Sequence, residues 1–205
     1  MIPNQKILML EAWEKDVFDE LSISEIMKIS KKKSKPWVFN TLKLLTKEGL
    51  LTSKRKGNLD IYSMNMDNPF LFQALQYIES QNNLDFSRMG IISETINKVP
   101  IKNYCLMIFG SYANGKQRKN SDLDMCFLVE NEQARKNIKP YFNDVKLNHS
   151  ISVDDHYITF GDFIKMLLRE EENIGKQIFR NRIIFYNADI YYQLIKEAHK
   201  NGFRA

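Results

Sequence analysis

The chain has 205 residues, of which 43% are hydrophobic and 27% are charged, and its formal net charge is +5. This composition excludes a disordered or fibrous chain, and the length allows one large or two small domains. The longest apolar run, Tyr104–Phe109, is far shorter than the roughly 20 residues that cross a bilayer, so we expect no membrane association. Residues 1–16 carry acids within their apolar stretch and lack a small-residue cleavage site, which predicts a cytoplasmic protein without a secretory signal.

The positive charge is concentrated in one segment. Residues 28–56 contain ten basic residues and the single acid Glu48, a net charge of +9, which leaves −4 for the rest of the chain. Such a local patch indicates a polyanionic partner for one part of the molecule. Cys105 and Cys126 have no metal-ligand spacing and lie in apolar, strand-like runs, so we expect both to be reduced core residues.

The first predicted elements are helical. Apolar residues recur at helical spacing over residues 4–15, which predicts a first helix. Residues 21–22 then form a short link. Ser24 is the expected N-cap of a short second helix that contains Ile26, Met27 and Ile29.

A third helix and a hairpin follow the lysine run. Ser34 as N-cap and Pro36 in the first turn open a helix that ends at Gly49. A basic turn centred on Gly57 leads into an alternating strand over 61–64, which completes a hairpin.

This order of elements, with KEGLL leading into KRKGN, resembles the winged helix-turn-helix family over residues 1–66. The resemblance implies that the third helix enters the major groove of DNA and that the hairpin contacts the flanking backbone. Asn40 and Thr41 are candidates for base contacts. The phosphate contacts are expected at Lys35, Lys43, Lys47, Lys54, Arg55 and Lys56. In the alternative interpretation the lysines only solvate a surface, or the domain binds a protein or dimerises.

Two helices are predicted between this domain and the rest of the chain. The first covers 67–80 and starts at Asn68 and Pro69, and the second covers 84–99. We interpret residues 67–97 as a helical connection.

The next segment carries candidate catalytic residues. The apolar strand 104–109 is broken at once by Gly110 and Ser111, and a second strand over 123–129 opens with Asp122 and Asp124. Since residues two apart in a strand share a face, both carboxylates point into one space, where a hard cation such as Mg²⁺ relieves their repulsion. A Gly-Ser turn beside them lets backbone N–H groups approach a phosphate closely. The pattern predicts a metal–triphosphate site.

The stretch GSYANGKQRKNSDLD resembles the DNA polymerase β nucleotidyltransferase superfamily, and within it the minimal and antitoxin-type nucleotidyltransferases. The resemblance implies a domain over 98–205 with a small mixed sheet flanked by helices, and so an α+β protein overall. It also implies that Gly110, Ser111 and Ser121 contact the nucleotide. Asn114 stands where many minimal members have arginine, and Lys116, Arg118 and Lys119 follow it, so the choice of a phosphate-binding base stays open.

The family's third carboxylate comes from a later strand, and HSISVDDHYITF offers Asp154 and Asp155. By resemblance, the distance to Phe163 favours Asp154, and alternation sends Asp155 to the opposite face. His156 shares the face of Asp154, where we interpret it as a satisfied polar group. The chain is then expected to finish with an amphipathic helix over 161–177, a strand over 182–186 and a helix over 188–200.

The resemblance implies a two-metal Mg²⁺ site formed by Asp122, Asp124 and Asp154, which transfers a nucleoside monophosphate from an NTP, with AMP from ATP as the leading candidate, to a hydroxyl of a protein, RNA or small molecule. In this interpretation the N-terminal domain binds double-stranded DNA, a partner protein is one candidate acceptor, and a homodimer would match a palindromic DNA site. In the alternative, the chain is an antitoxin-like, DNA-binding regulator whose nucleotidyltransferase-like domain only senses nucleotide.

Overall fold

A computed structural model of the chain describes residues 4–83 and 85–204. Helix α1 (Asn4–Ile7) continues as a 3-10 helix over Leu8–Trp13, so the predicted first helix is present but wound more tightly in its second half. A short strand β1 (Leu21–Ser22) leads into α2 (Ile23–Ile29). The expectation that Ser24 caps α2 is wrong. Ser22 is the N-cap, because its hydroxyl accepts from the Glu25 backbone N–H at 3.4 Å while its own backbone N–H donates to the Glu25 carboxylate at 2.8 Å, which completes a capping box.

Helix α3 (Lys35–Lys47) starts as its sequence predicts. The Ser34 hydroxyl accepts from the Trp37 N–H, and Pro36 lies in the first turn. The helix stops at Gly49, whose φ of +74° belongs to the left-handed region that favours glycine. One face of α3 is fully buried through Val38, Leu42 and Leu45.

The predicted hairpin consists of β2 (Leu51–Lys56) and β3 (Leu59–Met64), which pair antiparallel across Gly57. Strand β1 adds to the other edge of β3, so the sheet has the order β1-β3-β2. Helix α4 (Pro69–Asn82) follows, and its first turn is fixed by the Asn68 side chain, which accepts from the Phe70 N–H. The chain divides into two compact units between Ile78 and Glu79. The assignment of the first unit as a winged helix-turn-helix stays a prediction.

The second unit is built on a four-stranded mixed sheet. Its strands are β4 (Tyr104–Phe109), β5 (Leu123–Val129), β6 (Val153–Thr159) and β7 (Arg182–Tyr186), in the order β6-β5-β4-β7. Strands β4 and β5 pair antiparallel, as do β4 and β7, whereas β5 and β6 are parallel and are joined by the crossover helix α7 (Glu132–Leu147). The helices are α5 (Met89–Lys98), α6 (Gly110–Ala113), α7 (Glu132–Leu147), α8 (Phe160–Leu168), α9 (Ile174–Arg180) and α10 (Ala188–Lys200).

Side chains alternate between the two faces of this sheet. Tyr104, Leu106 and Ile108 of β4 pack in one buried cluster with Phe127 of β5 and with α5 and α7. Cys105 points the other way, toward the backbone of Tyr191 in α10. Both cysteines are fully buried and free, as expected, and burial raises the pKa of each thiol.

Two predicted helices have different bounds in the structure. The second connecting helix starts at Met89 rather than at 84, and Leu84 lies outside the described residues. The single helix expected over 161–177 is two helices, α8 and α9. The Asn173 side chain separates them, since its amide donates to the Met166 carbonyl at 2.8 Å while its oxygen accepts from the Lys176 N–H at 3.1 Å. None of the helices in the described part of the chain has the length and apolar character of a bilayer span.

Candidate active site

The parallel register of β5 and β6 brings two of the predicted carboxylates together. Asp124 lies directly opposite Asp154, and both are the second residue of their strand. His156 follows two positions later on β6, opposite Cys126, and therefore shares their face of the sheet. The site is formed at the point where two parallel strands begin.

The three side chains form a compact donor cluster. One ligand atom each from Asp124, Asp154 and His156 lies within 4.8 Å of the others. The His156 Nε2 is 3.1 Å from the Asp154 Oδ2. The ring of Phe109 packs edge-on against the imidazole, with the ring centroids 5.3 Å apart.

The Gly110–Ser111 turn holds the Asp124 carboxylate from the other side. A Cβ at position 110 would lie only 2.1 Å from the Asp124 Oδ2, and the φ of Gly110 is +67°. The Ser111 backbone N–H faces the same carboxylate and acts to lower its pKa. Glycine is strongly favoured at this position, because the backbone conformation strains an L-residue and a Cβ would displace the Asp124 carboxylate.

The cluster fits a divalent cation. Burial, followed by the nearby charge of Asp154, raises the pKa of Asp124, and the His156 side chain and the Ser111 N–H only partly oppose this shift. Two carboxylates that oppose each other's ionisation are stabilised by a cation bound between them. Oxygen donors on two adjacent strands are suitable ligands for Mg²⁺.

The two other acids considered in the sequence, Asp122 and Asp155, are not members of this donor cluster. Asp122 precedes β5, is exposed, and is not a member of the donor cluster found among residues 4–83 and 85–204. Its charge still contributes to the raised pKa of Asp124. Asp155 points to the opposite face, where it forms an ion pair with Lys146 of α7. Of the two candidates for the third carboxylate, the structure thus places Asp154 beside Asp124.

Residues 92–191 match the family described as "Polymerase beta, Nucleotidyltransferase". This part of the chain is a nucleotidyltransferase domain. The chain is also similar to a solved structure, "Crystal structure of the toxin-antitoxin with AMP-PNP", at 16% identity and a TM-score of 0.36, over 56% of this chain and 86% of that one. The sequence has no significant match among curated proteins.

The loop between α6 and β5 of the nucleotidyltransferase domain contains the remaining predicted nucleotide contact. The Ser121 hydroxyl accepts from the Arg118 N–H at 2.8 Å, so it fixes the turn that precedes Asp122. The candidate bases Lys116, Arg118 and Lys119 are all exposed. The choice of a phosphate-binding residue among these three therefore stays open.

One basic residue that was not singled out in the sequence pairs with the end of the strand that leads into Gly110. Arg182 of β7 is in register with Phe109, which directly precedes Gly110. The Arg182 guanidinium lies over the Tyr191 ring, 4.5 Å from its centroid. The Tyr192 hydroxyl donates to the Glu79 carboxylate at 2.5 Å. Burial raises the pKa of Tyr192, and the positive charge of Arg182 partly opposes this shift. No local pattern signals this residue, because its position beside Phe109 is set by the pairing of β7 with β4.

The predicted DNA-contacting residues lie outside the nucleotidyltransferase domain, in the N-terminal unit. Lys35, Phe39, Lys43 and Lys47 recur every four residues along α3, and all four are exposed. They form an exposed basic stripe on this helix. In the hairpin Lys54, Arg55 and Lys56 are exposed as well, and Lys54 forms an ion pair with Glu20.

The two candidate base-reading residues of α3 differ in exposure. Asn40 is exposed beside the basic stripe, whereas Thr41 is fully buried and its hydroxyl donates to the Trp37 carbonyl at 2.8 Å. Of these two candidates, Asn40 is therefore the exposed one.

Proposed function

We propose that the chain is a Mg²⁺-dependent nucleotidyltransferase that transfers AMP from ATP to a hydroxyl of a protein, RNA or small-molecule acceptor. The observation that supports this most directly is the pairing of Asp124 with Asp154 against the Gly110–Ser111 turn, inside residues 92–191 that match the nucleotidyltransferase family. The same residues suit both parts of Mg-ATP, since carboxylates suit the cation and a glycine turn suits the phosphates.

The proposed reaction assigns a role to each residue of the site. Asp124 and Asp154, joined by Asp122, would hold the magnesium ions. When bound, magnesium neutralises phosphate charge and increases the acidity of the acceptor hydroxyl. Gly110 and Ser111 position the β- and γ-phosphates. The acceptor oxygen forms a bond to the α-phosphorus, the bond from that phosphorus to the bridging oxygen breaks, and pyrophosphate leaves. Asp154 is placed to assist removal of the acceptor proton.

The test is transfer of label from α-labelled ATP into a lysate of the source cells. Asp124→Asn and Asp154→Asn should each lower transfer by at least about a hundredfold, because a neutral amide does not balance the charge of a cation. Asp155→Asn is the matched control and should retain transfer, since Asp155 lies on the opposite face beside Lys146. Protease and nuclease treatment of the product then assigns the acceptor class. Undiminished transfer in both site variants contradicts the proposal.

We also propose that the N-terminal unit binds duplex DNA through α3 and the hairpin. The exposed lysine stripe on α3 supports this, because four-residue spacing aligns its charges along one side of the helix. This surface also supports the second candidate function, a DNA-binding regulator that only senses nucleotide. ATP binding without transfer of label from any NTP would favour the regulator.

A further inference from the structure

His156 completes the donor cluster with an atom of a different kind. Asp124 and Asp154 offer oxygen, whereas the His156 Nε2 offers nitrogen, and the three ligand atoms lie within 4.8 Å of one another. Ligands held about 2.1 Å from one ion lie within about 4.2 Å of each other, so small side-chain rotations bring all three onto a single cation.

The surroundings of the imidazole fix its direction. Its position two residues after Asp154 puts it on the same face of β6, and its Nε2 lies 3.1 Å from the Asp154 Oδ2. The Phe109 ring supports the imidazole edge-on. The His156 side chain is 30% exposed, so the ring remains accessible from solvent. Asp155 faces Lys146 on the other side and does not compete for this position.

We infer that His156 is a nitrogen ligand of the cation held by Asp124 and Asp154, and that this third donor adds affinity for divalent transition metals such as Mn²⁺ at the site that also binds Mg²⁺. Imidazole is a poor ligand for hard Mg²⁺, and transition metals accept it readily. The inference rests on the proposed function, because the metal belongs to the same nucleotidyl-transfer site.

The test is pulsed electron paramagnetic resonance of Mn²⁺ bound to the full chain, together with Mn²⁺ and Mg²⁺ titrations. Wild-type protein should show ¹⁴N coupling from one imidazole. His156→Gln should lose that coupling, although glutamine can still donate to Asp154, and its Mn²⁺ Kd should rise at least about tenfold. Its Mg²⁺ Kd should stay within about twofold, because oxygen ligands dominate Mg²⁺ binding.

His149→Gln is the matched control. His149 is partly exposed like His156, but its Nε2 lies 2.8 Å from Glu94 and away from the site. This variant should keep both the ¹⁴N coupling and the Mn²⁺ affinity of the wild type.

The outcomes separate this inference from the proposed function. In one outcome, Mn²⁺ binds the wild type without ¹⁴N coupling, and its binding is lost in Asp124→Asn. This outcome would overturn the role of His156 as a ligand and leave the carboxylate site intact. A wild-type chain that binds no Mn²⁺, with or without ATP, would overturn the inference and the proposed function together.

Discussion

At the residue scale, Gly110 shows how one backbone conformation constrains a site. Its φ of +67° permits the turn from β4 into α6, and the absence of a Cβ admits the Asp124 carboxylate. A substitution here combines two separate costs, the strain of a left-handed L-residue and a steric collision with an acid of the site. A second glycine of the loop allows these two costs to be separated.

Gly110→Ala should impair both the fold and the site, whereas Gly115→Ala should impair only the fold. Both positions have nearly equal positive φ, +67° and +69°, and alanine strain there is of order 1–3 kcal/mol. Open space surrounds a Cβ at Gly115, but a Cβ at Gly110 meets Asp124. We expect both variants to lower the free energy of unfolding and Gly110→Ala alone to weaken Mg-ATP binding. Denaturant unfolding and nucleotide titration measure the two effects, and equal nucleotide affinity in the two variants would contradict the assignment.

Asp124 should make the metal-free chain less stable as the pH rises through the folded-state pKa of this carboxyl. Burial raises its pKa above the ordinary 3.8, so in the interval between the two values the folded chain holds a proton that the unfolded chain has released. Its contribution to stability is therefore fully present below pH 3.8 and is lost as pH rises through the folded-state pKa. The Asp124→Asn variant has no carboxyl to ionise at this position, so this loss of folding stability with rising pH does not occur in it.

In EDTA, Asp124→Asn should consequently unfold at a higher temperature than the wild type at pH 7. The difference should vanish near pH 3, where both side chains are neutral. Thermal unfolding at the two pH values measures this, with Asp155→Asn as a control that should show no gain, because it loses an ion pair with Lys146. A gain that persists unchanged at pH 3 would show that burial of charge is not its cause.

At the element scale, local signals predicted the strands around the site well. Strands β4 and β5 have the predicted bounds because Gly110 ends the first abruptly and the acids around position 122 precede the second. The basic helix α3 also starts as predicted, since its cap and proline lie within three residues. These elements depend on neighbours in sequence.

Contacts between residues that are far apart in sequence were not predicted. The direct pairing of Asp124 with Asp154 is set by the parallel register of β5 with β6, and the ion-pair partner of Asp155 is Lys146, on a crossover helix that was not predicted. The break between α8 and α9 depends on an Asn173 side chain that bonds back to Met166. Each of these contacts forms only when the chain folds back on itself.

The basic stripe of α3 should contribute measurably to DNA binding. If Lys43 and Lys47 each neutralise one phosphate, Lys43→Ala/Lys47→Ala should weaken duplex binding and reduce the slope of log K against log salt by about 2. Fluorescence anisotropy at several salt concentrations measures both quantities. Lys136→Ala/Lys139→Ala removes two exposed charges from α7 in the other unit and is the control. An equal loss in the control would assign the effect to net charge alone.

At the scale of the whole molecule, the two units carry separate candidate sites. The basic stripe lies in the unit that ends at Ile78, and the carboxylate cluster lies in the unit from Glu79 to Arg204. Each unit has its own sheet and its own buried residues. The two proposed functions can therefore be tested in one full-length chain by variants in one unit and measurements on the other.

The enzyme and regulator interpretations differ in the coupling between these sites. A nucleotide-sensing regulator must bind DNA with different affinity in its ATP-bound and ATP-free forms, and by linkage DNA must change ATP affinity by the same factor. An enzyme that uses its N-terminal unit only for localisation has no such requirement. We therefore expect ATP to change the DNA Kd by less than about twofold, whereas typical allosteric coupling is about 5- to 150-fold.

The measurement is the DNA Kd with and without Mg-ATP, repeated for Asp124→Asn. Under the enzyme interpretation this variant loses transfer and keeps the DNA affinity of the wild type, and Lys43→Ala/Lys47→Ala loses DNA affinity and keeps transfer to a free acceptor. The enzyme interpretation thus predicts that DNA binding by the first unit and transfer by the second unit are lost independently of each other. If ATP instead shifts the DNA Kd tenfold and Asp124→Asn abolishes that shift, the carboxylates serve nucleotide sensing, and the regulator interpretation replaces the enzyme.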